Sequence, residues 1–244
     1  MVFKKVNILG VPFIHASMEQ FINQLHLHII NNEKVTVVTA NPEIVMKAKE
    51  DSYYMTLLRN ANYVTPDGIG IVKAAQLLGS PLPERVAGFD TMIELLKLGN
   101  IHNYNIYLLG AKEEVLEGAK QKIKKDYPNV NVVGSHNGFF DWTNEEIPNQ
   151  IKSLEPDLVF VALGMPRQEE WIFSQIEKFE KGIFMGVGGS FDVLSGTVNR
   201  APEIWQKLNI EWLYRLVKQP SRAVRMMALP RFALEIFKKK VLPK

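Results

Sequence analysis

The chain has 244 residues, of which 46% are hydrophobic and 23% charged, and this composition excludes a disordered or fibrous protein. Cysteine is absent, which excludes disulfides, cysteine-ligated zinc and thiol nucleophiles. The net charge is only +3, but residues 207–244 hold ten basic and two acidic side chains, so the rest of the chain carries −5.

Short apolar runs alternate with helical patterns through the first 200 residues. This alternation predicts an α/β fold, a Rossmann-like and largely parallel sheet flanked by helices. A capping box at Ser17 and Gln20 predicts a helix that extends to about Ile30, and Pro42 suits the first turn of another helix. Helical periodicity also predicts helices over 113–125 and 168–179. The apolar runs predict strands over residues 6–11, 35–39, 61–64, 105–109, 131–134, 158–163 and 182–187.

The strand pattern stops after Arg200. We therefore expect two parts, an α/β domain over residues 1–200 and a basic, amphipathic helical appendage over residues 201–244. Pro202 is expected to open a helix to about Lys218, a second helix restarts near residue 220, and Pro230 is expected to kink or break it. No run approaches the roughly 20 apolar residues of a membrane-spanning helix, and the N-terminal apolar run is too interrupted to predict a secretion signal.

Apolar positions in the appendage are interleaved with arginine and lysine. One interpretation is a helical pair that packs on the body, and the other is an amphipathic element that lies on an anionic membrane surface. The apolar face near Trp205, Leu208 and Trp212 suits either a membrane or the interface of a homo-oligomer. Nucleic acid is the least favoured partner.

Polar turns follow four of the predicted strands. In open α/β sheets ligands bind beyond the carboxyl ends of the strands, so these turns are the candidate site. They are Thr39-Ala-Asn41-Pro42, Thr65-Pro-Asp67-Gly68, Gly164-Met-Pro166-Arg167-Gln168 and Gly186-Val-Gly188-Gly189-Ser190-Phe-Asp192.

Each candidate residue in these turns has an ordinary structural alternative. The glycines at 186, 188 and 189 suit backbone amides that approach a phosphate, or simply a tight turn. Asp67 suits a general base held at the ligand edge, or an ordinary Pro-Asp-Gly turn. Asp192 is a rival carboxylate, or a solvated acid at a helix start.

Metal and cofactor binding are not expected. The chain has no Asp-x-Asp triplet, and its five histidines show no metal-ligand spacing. No Walker loop or dinucleotide fingerprint is complete either.

Several motifs occur together in an order that resembles one family. The chain resembles the WecG/TagA/CpsF glycosyltransferases over nearly its whole length, and most of all the branch that transfers N-acetylmannosamine. The motifs that carry the resemblance are Thr39-Ala-Asn41-Pro42-Glu43, Pro66-Asp67-Gly68, Arg85-Val-Ala-Gly88, Leu108-Leu109-Gly110, Leu163-Gly164-Met-Pro166-Arg167-Gln168-Glu169 and Gly186-Val-Gly188-Gly189.

The resemblance implies an inverting, metal-independent transfer of N-acetylmannosamine from UDP to the 4-hydroxyl of N-acetylglucosamine on undecaprenyl diphosphate, in wall teichoic acid linkage-unit synthesis. It implies Asp67 as base and Arg85 as a catalytic residue, and it places the protein in the cytoplasm, peripheral on the inner face of the plasma membrane. The implied donor contacts are Thr39, Asn41, Gln168, Gly186, Gly188, Gly189 and Asp192, and the tail arginines expected at the acceptor diphosphate or the membrane are Arg215, Arg222 and Arg225.

Other functions stay open at this point. Related members use other UDP sugars, such as UDP-ManNAcA or UDP-glucose, and single hydrogen bonds can decide between them. A Rossmann-like oxidoreductase or methyltransferase would share the α/β body, although Leu9-Gly10-Val-Pro12 lacks the glycine fingerprint that such enzymes have after the first strand. A non-catalytic sugar-binding protein recruited to membranes is the third alternative.

Overall fold

The structure, a computed structural model, describes residues 3–207, 210–218 and 223–241. Its strands are β1 (Lys5–Ile8), β2 (Val11–Ile14), β3 (Lys34–Ala40), β4 (Tyr63–Pro66), β5 (Asn105–Gly110), β6 (Asn131–His136), β7 (Leu158–Ala162) and β8 (Gly182–Gly186). Strands β3 to β8 form one sheet in the order β4-β3-β8-β7-β5-β6, and every pairing in it is parallel. The predicted α/β class with a largely parallel sheet is confirmed.

Helices connect the strands and cover both faces of the sheet. They are α1 (Met18–Ile30), α2 (Pro42–Glu50), α3 (Ser52–Asn60), α4 (Ile69–Leu77), α5 (Gly88–His102), α6 (Glu113–Asp126), α7 (Glu146–Leu154), α8 (Arg167–Gln175), α9 (Ser190–Leu194), α10 (Glu203–Lys207), α11 (Glu211–Lys218), α12 (Ala223–Met226) and α13 (Ala228–Val241). A 3₁₀ turn at Ile176–Lys178 follows α8. No described helix is both long and apolar enough to cross a membrane.

The strands present alternate side chains to two apolar layers, as the pleat requires. On one face Val37, Phe160 and Met185 pack with α1, α5, α6 and α9. On the other face Val38 and Val64 pack with α2, α3, α4 and α13, while the remaining strands pack with α7 and α8. Because strands buried on both faces read as continuous apolar runs, most of them could be predicted from sequence.

The N-terminal prediction was wrong. Residues 6–11 do not form one strand of the main sheet but belong to a two-stranded antiparallel hairpin of β1 and β2. Leu9 and Gly10 both have positive φ, 51° and 97°, and the Gly10 N–H donates to Asn7 Oδ1 at 2.9 Å. Two consecutive positive φ angles form a tight reverse turn, so the apolar run folds back on itself.

The predicted starts of the first two helices are confirmed. Ser17 caps α1 with the predicted capping box, and Pro42 is the first residue of α2. In the tail the break falls at Met227, and Pro230 lies in the first turn of α13, where a missing N–H costs no hydrogen bond. One side of α13 packs on the body, with Phe232 and Ile236 only 4% and 2% exposed.

Candidate active site

A cavity of about 620 Å³ lies at the carboxyl ends of β3, β4, β7 and β8. Side chains from α4, α5, α11 and α13 complete its wall, so parts of the body and of the tail both line it. The sequence-predicted residues that line it are Thr39, Asn41, Asp67, Arg85, Gln168, Gly188, Gly189 and Arg225. This is the sheet edge where ligands of open α/β folds bind.

Asp67 directly follows β4 and is fixed at two points. Its backbone N–H donates to Ala40 O at 3.0 Å, which ties the turn to the neighbouring strand. Its Oδ2 accepts from the N–H of Gly88 at 3.3 Å, the first residue of the 15-residue helix α5. The positive end of a helix dipole stabilises a carboxylate there, so the side chain is held as an acceptor at the cavity wall.

Thr39 and Asn41 are positioned by the end of β3. Thr39 Oγ1 donates to Gly186 O at 3.2 Å, which links the ends of β3 and β8. Asn41 is the N-cap of α2, and its Oδ1 accepts from Ile44 N at 3.0 Å. The cap uses only the amide oxygen of Asn41, so its NH₂ group is not required for holding the helix.

Gln168 connects α8 to the glycine turn after β8. The N–H of Gly188 donates to Gln168 Oε1 at 3.0 Å, and Gln168 Nε2 donates to Glu169 Oε1 at 2.7 Å. Gly188 has a φ of +52°, and a Cβ on Gly186 would come within 2.7 Å of Gln168 Nε2. The glycine at 186 is therefore required by the close approach of Gln168.

Glu169 lies behind this wall and is only 1% exposed. Burial raises its pKa to about 7, with the neighbouring Glu170 acting in the same direction. Tyr54 lies beside it, and burial together with the nearby carboxyl groups raises the pKa of the Tyr54 hydroxyl far above its ordinary value. The sequence analysis quoted Glu169 within a motif but assigned it no role.

Replacing Glu169 by Gln should change how stability depends on pH. Above pH 4.5 the unfolded chain loses the Glu169 proton while the folded chain keeps it, so the wild-type protein loses stability as pH rises to about 7. The raised pKa corresponds to roughly 3 kcal/mol over that window. Urea unfolding at pH 4.5 and 8 should therefore show E169Q gaining that much relative to wild type, and a difference that stays constant with pH would contradict the assignment.

Four charged side chains form a cluster at one end of the cavity. Arg85 contacts Asp90 Oδ2 at 3.1 Å and Glu211 Oε2 at 3.6 Å, and Arg200 also pairs with Asp90 and, at 4.0 Å, with Glu211. The Arg200 guanidinium lies 4.8 Å from the centre of the Phe89 ring. Glu211 belongs to α11, so this cluster ties the tail to the body.

Sequence reasoning missed Asp90, Arg200 and Glu211. Asp90 lies in the first turn of α5, two residues after the Arg85-to-Gly88 motif, and its Oδ2 accepts from Arg85 Nη2 at 3.1 Å. Arg200 and Glu211 lie near the boundary where the strand pattern stops, and nothing local marks them.

Four predicted site residues are placed differently from the others. Gly186 lies beneath the cavity and offers its carbonyl to Thr39. Asp192 does not line the cavity, and its backbone carbonyl accepts from Val198 N and Ser195 Oγ. Arg222 and the side chain of Arg215 lie outside the described residues.

Arg225, by contrast, lines the cavity and lies 3.9 Å from Glu43 Oε1. Within the described ranges no three His, Asp or Glu side chains are grouped so as to hold a metal ion.

A carboxylate, arginines and a glycine turn surround one cavity at this edge of a parallel sheet, an arrangement typical of α/β enzymes whose ligands carry phosphate. Residues 6–244 match the sequence profile of the glycosyl transferase WecG/TagA/CpsF family, and the chain belongs to this family. The resemblance drawn from the motifs is thereby confirmed, and the oxidoreductase and methyltransferase alternatives fall away.

Similar proteins come from several strains of Staphylococcus aureus. Those of strains MW2 and NCTC 8325 are each 40% identical over 238 residues, which cover 97% of this chain and 93% of theirs. The protein of strain MRSA252 is similar to the same extent. All three carry the name N-acetylglucosaminyldiphosphoundecaprenol N-acetyl-beta-D-mannosaminyltransferase.

Proposed function

We propose that the protein is an inverting, metal-independent glycosyltransferase of wall teichoic acid linkage-unit synthesis. It moves N-acetylmannosamine from UDP-ManNAc to the 4-hydroxyl of N-acetylglucosamine on undecaprenyl diphosphate. The observation that carries the proposal is one cavity that holds Asp67, Arg85 and the Gly188 turn together. The names of the staphylococcal relatives, 40% identical over nearly the whole chain, support the choice of sugar and acceptor.

Asp67 acts as the general base in this proposal. It takes the proton from the acceptor hydroxyl as that oxygen attacks the anomeric carbon of the donor and the bond to the UDP oxygen breaks. Attack opposite the leaving group inverts the anomeric configuration. Because the carboxylate is anchored to Gly88 at the start of α5, it approaches the acceptor from a fixed wall.

The departing UDP needs positive charge, and the described lining of the cavity has none in excess. The described lining contains four basic side chains (Lys73, Arg85, Arg200, Arg225) and four acidic ones (Glu43, Asp67, Asp90, Glu211). A bound diphosphate adds negative charge to this balanced set. We infer that Arg215 and Arg222 of the tail, together with Arg225, provide the further cations that stabilise the leaving group or the acceptor diphosphate.

The proposal is tested by measuring UDP release from UDP-ManNAc with and without a lipid-linked GlcNAc diphosphate acceptor. UDP should appear at the full rate only with acceptor, and activity should survive excess EDTA, because no metal takes part. Release without acceptor would favour hydrolysis, and binding without any release would favour a sugar-binding protein. A loss with EDTA that magnesium or manganese restores would overturn the metal-independent mechanism, and faster turnover with another UDP sugar would correct the donor.

We further propose that the protein works at the inner face of the plasma membrane, held there by its tail. On α13 Phe232 and Ile236 face the body, whereas Leu234, Phe237 and Val241 repeat at helical spacing on an exposed side next to Lys238–Lys240. Trp212 of α11, which lines the cavity, is also 42% exposed. Exposed apolar side chains bordered by lysines suit anionic lipid headgroups.

Binding to vesicles with anionic lipid should therefore weaken steeply with salt. Each basic residue close to such a surface contributes about 1 kcal/mol, so glutamine at 238, 239 and 240 should weaken binding by roughly 100-fold. Glutamine at Lys122, Lys124 and Lys125 of α6 removes the same charge elsewhere and should have little effect. Equal losses of vesicle affinity in both triple variants would mean that binding depends on the net charge of the protein and not on the lysines of α13.

If the exposed apolar surface instead joins two copies of the chain, the wild-type protein should sediment as a homo-oligomer that vesicles do not take up. That result would contradict the membrane role.

A further inference from the structure

Glu169 is a buried acid that the proposed chemistry does not use. It lies in the first turn of α8, behind the cavity wall, and no Lys or Arg of the described chain pairs with it. Its Oε2 and the neighbouring Tyr54 hydroxyl are both buried, and neither has a hydrogen-bond partner elsewhere among the described residues. Burying a carboxyl this way costs free energy, so stability alone would favour a neutral side chain at this position.

The contact that Glu169 does make lies next to the cavity. Its Oε1 accepts from Gln168 Nε2 at 2.7 Å, while Gln168 Oε1 accepts from the N–H of Gly188 at 3.0 Å. Gln168 itself is buried, and the closeness of Gly186 leaves its amide little room. The glutamine amide therefore bridges α8 and the glycine turn.

The chemistry of the two partners decides which way the amide points. The Gly188 N–H only donates, so it requires the amide oxygen. Glu169, ionised above its pKa of about 7, offers only acceptors there and requires the amide nitrogen. A rotated amide would bring donor against donor at Gly188 and acceptor against acceptor at Glu169. The nitrogen has two hydrogens and Glu169 takes one, so one hydrogen remains for a further acceptor.

We propose that Glu169 is a positioning residue for the nucleotide-sugar donor, which fixes the Gln168 amide and through it the Gly188 turn. The identity of the donor rests on the proposed function, but the positioning does not. A carboxylate is retained at a stability cost because its Oε1 accepts from the Gln168 nitrogen and, when ionised, it has no hydrogen to donate to a rotated amide.

UDP affinity by titration calorimetry and steady-state kinetics test the proposal in the full chain. E169L should raise the UDP Kd and the donor KM about tenfold, because Gln168 Nε2 loses its buried acceptor. E169Q should raise both about threefold, since it keeps one oxygen but allows both amides to rotate together. For both variants kcat and the acceptor KM should change less than twofold, and E170Q at the adjacent position serves as the matched control.

A second measurement tests whether Glu169 acts through Gln168. In a Q168A background, E169Q should have no further effect on UDP affinity, because the amide that it positions is gone. An additive loss would overturn the proposal, and so would wild-type UDP affinity in folded E169Q and E169L. Thermal unfolding of every variant shows which of them fold. If E169L does not fold, E169Q and the comparison of Q168A with the Q168A/E169Q double variant test the proposal.

Failure of the proposed function has a different signature. If wild-type protein releases no UDP with lipid-linked acceptor, the transferase assignment is contradicted. UDP titration of the Glu169 and Gln168 variants would still measure whether Glu169 positions Gln168. Both outcomes can therefore be assigned separately.

Discussion

Asp67→Asn is expected to lower turnover by about two to four orders of magnitude while leaving UDP affinity within about twofold. Asparagine has the same shape, and its Oδ1 can still accept from the Gly88 N–H that anchors Asp67. What it loses is the ability to take a proton from the acceptor hydroxyl. Single-turnover transfer and UDP titration on the same preparation measure the two quantities separately.

Asp192→Asn is the matched control for this variant. Asp192 was the rival carboxylate in the sequence analysis, and its side chain lies off the cavity. Turnover of D192N should therefore stay near that of the wild type. Near-normal turnover of D67N would contradict the assignment of Asp67, and a large loss in D192N would make that residue the next candidate.

The core of the candidate site could be predicted because its residues lie at, or just after, the carboxyl ends of strands. Parallel strands bring their carboxyl ends to one edge of the sheet. The positions of Thr39, Asp67 and Gly188 at strand ends were therefore enough to predict that they lie close together. Gln168 lies in one of the turns that follow the predicted strands, whereas Arg85 came from the family motifs alone, and the structure places both at the same cavity. Their catalytic roles stay predictions until the variants are measured.

The parts that sequence missed depend on long-range geometry. The hairpin that turns at Leu9-Gly10 has the apolar composition of a single strand. Only the positive φ angles of the two turn residues distinguish it from a continuous strand. Arg200 pairs with Asp90 of α5, 110 residues earlier in the chain, and Glu211 pairs with Arg85, which lies just before α5. No local pattern reveals such distant pairs. The burial of Glu169 could not be predicted for a different reason. A carboxylate in an amphipathic helix normally indicates a solvated face.

The division into residues 1–200 and 201–244 rested on composition, and the packing of α13 gives it a physical test. Phe232 is 4% exposed and lies in the same apolar cluster as Ile71 and Ala74 of α4, while it also lines the cavity. The tail thus has one helix whose inner side belongs to the core and whose outer side carries the exposed Phe237. Charged residues lie on the outer side of α13, so a prediction from charge favours a separate appendage even though the inner side of the helix packs in the core.

Phe232→Ala is therefore expected to lower the free energy of unfolding by about 3–5 kcal/mol, the cost of removing a buried phenylalanine and leaving a cavity. Phe237→Ala on the same helix removes the same atoms from a side chain that is 60% exposed, and it should cost less than about 1 kcal/mol. Urea unfolding of both variants, followed by circular dichroism, compares them directly. A loss in F232A no larger than that in F237A would mean that α13 adds nothing to the body's stability and that residues 201–244 are separable. The expected difference would mean that truncation after Arg200 destabilises the body, so loss of transfer in such a truncation could not be credited to the tail arginines without the point variants.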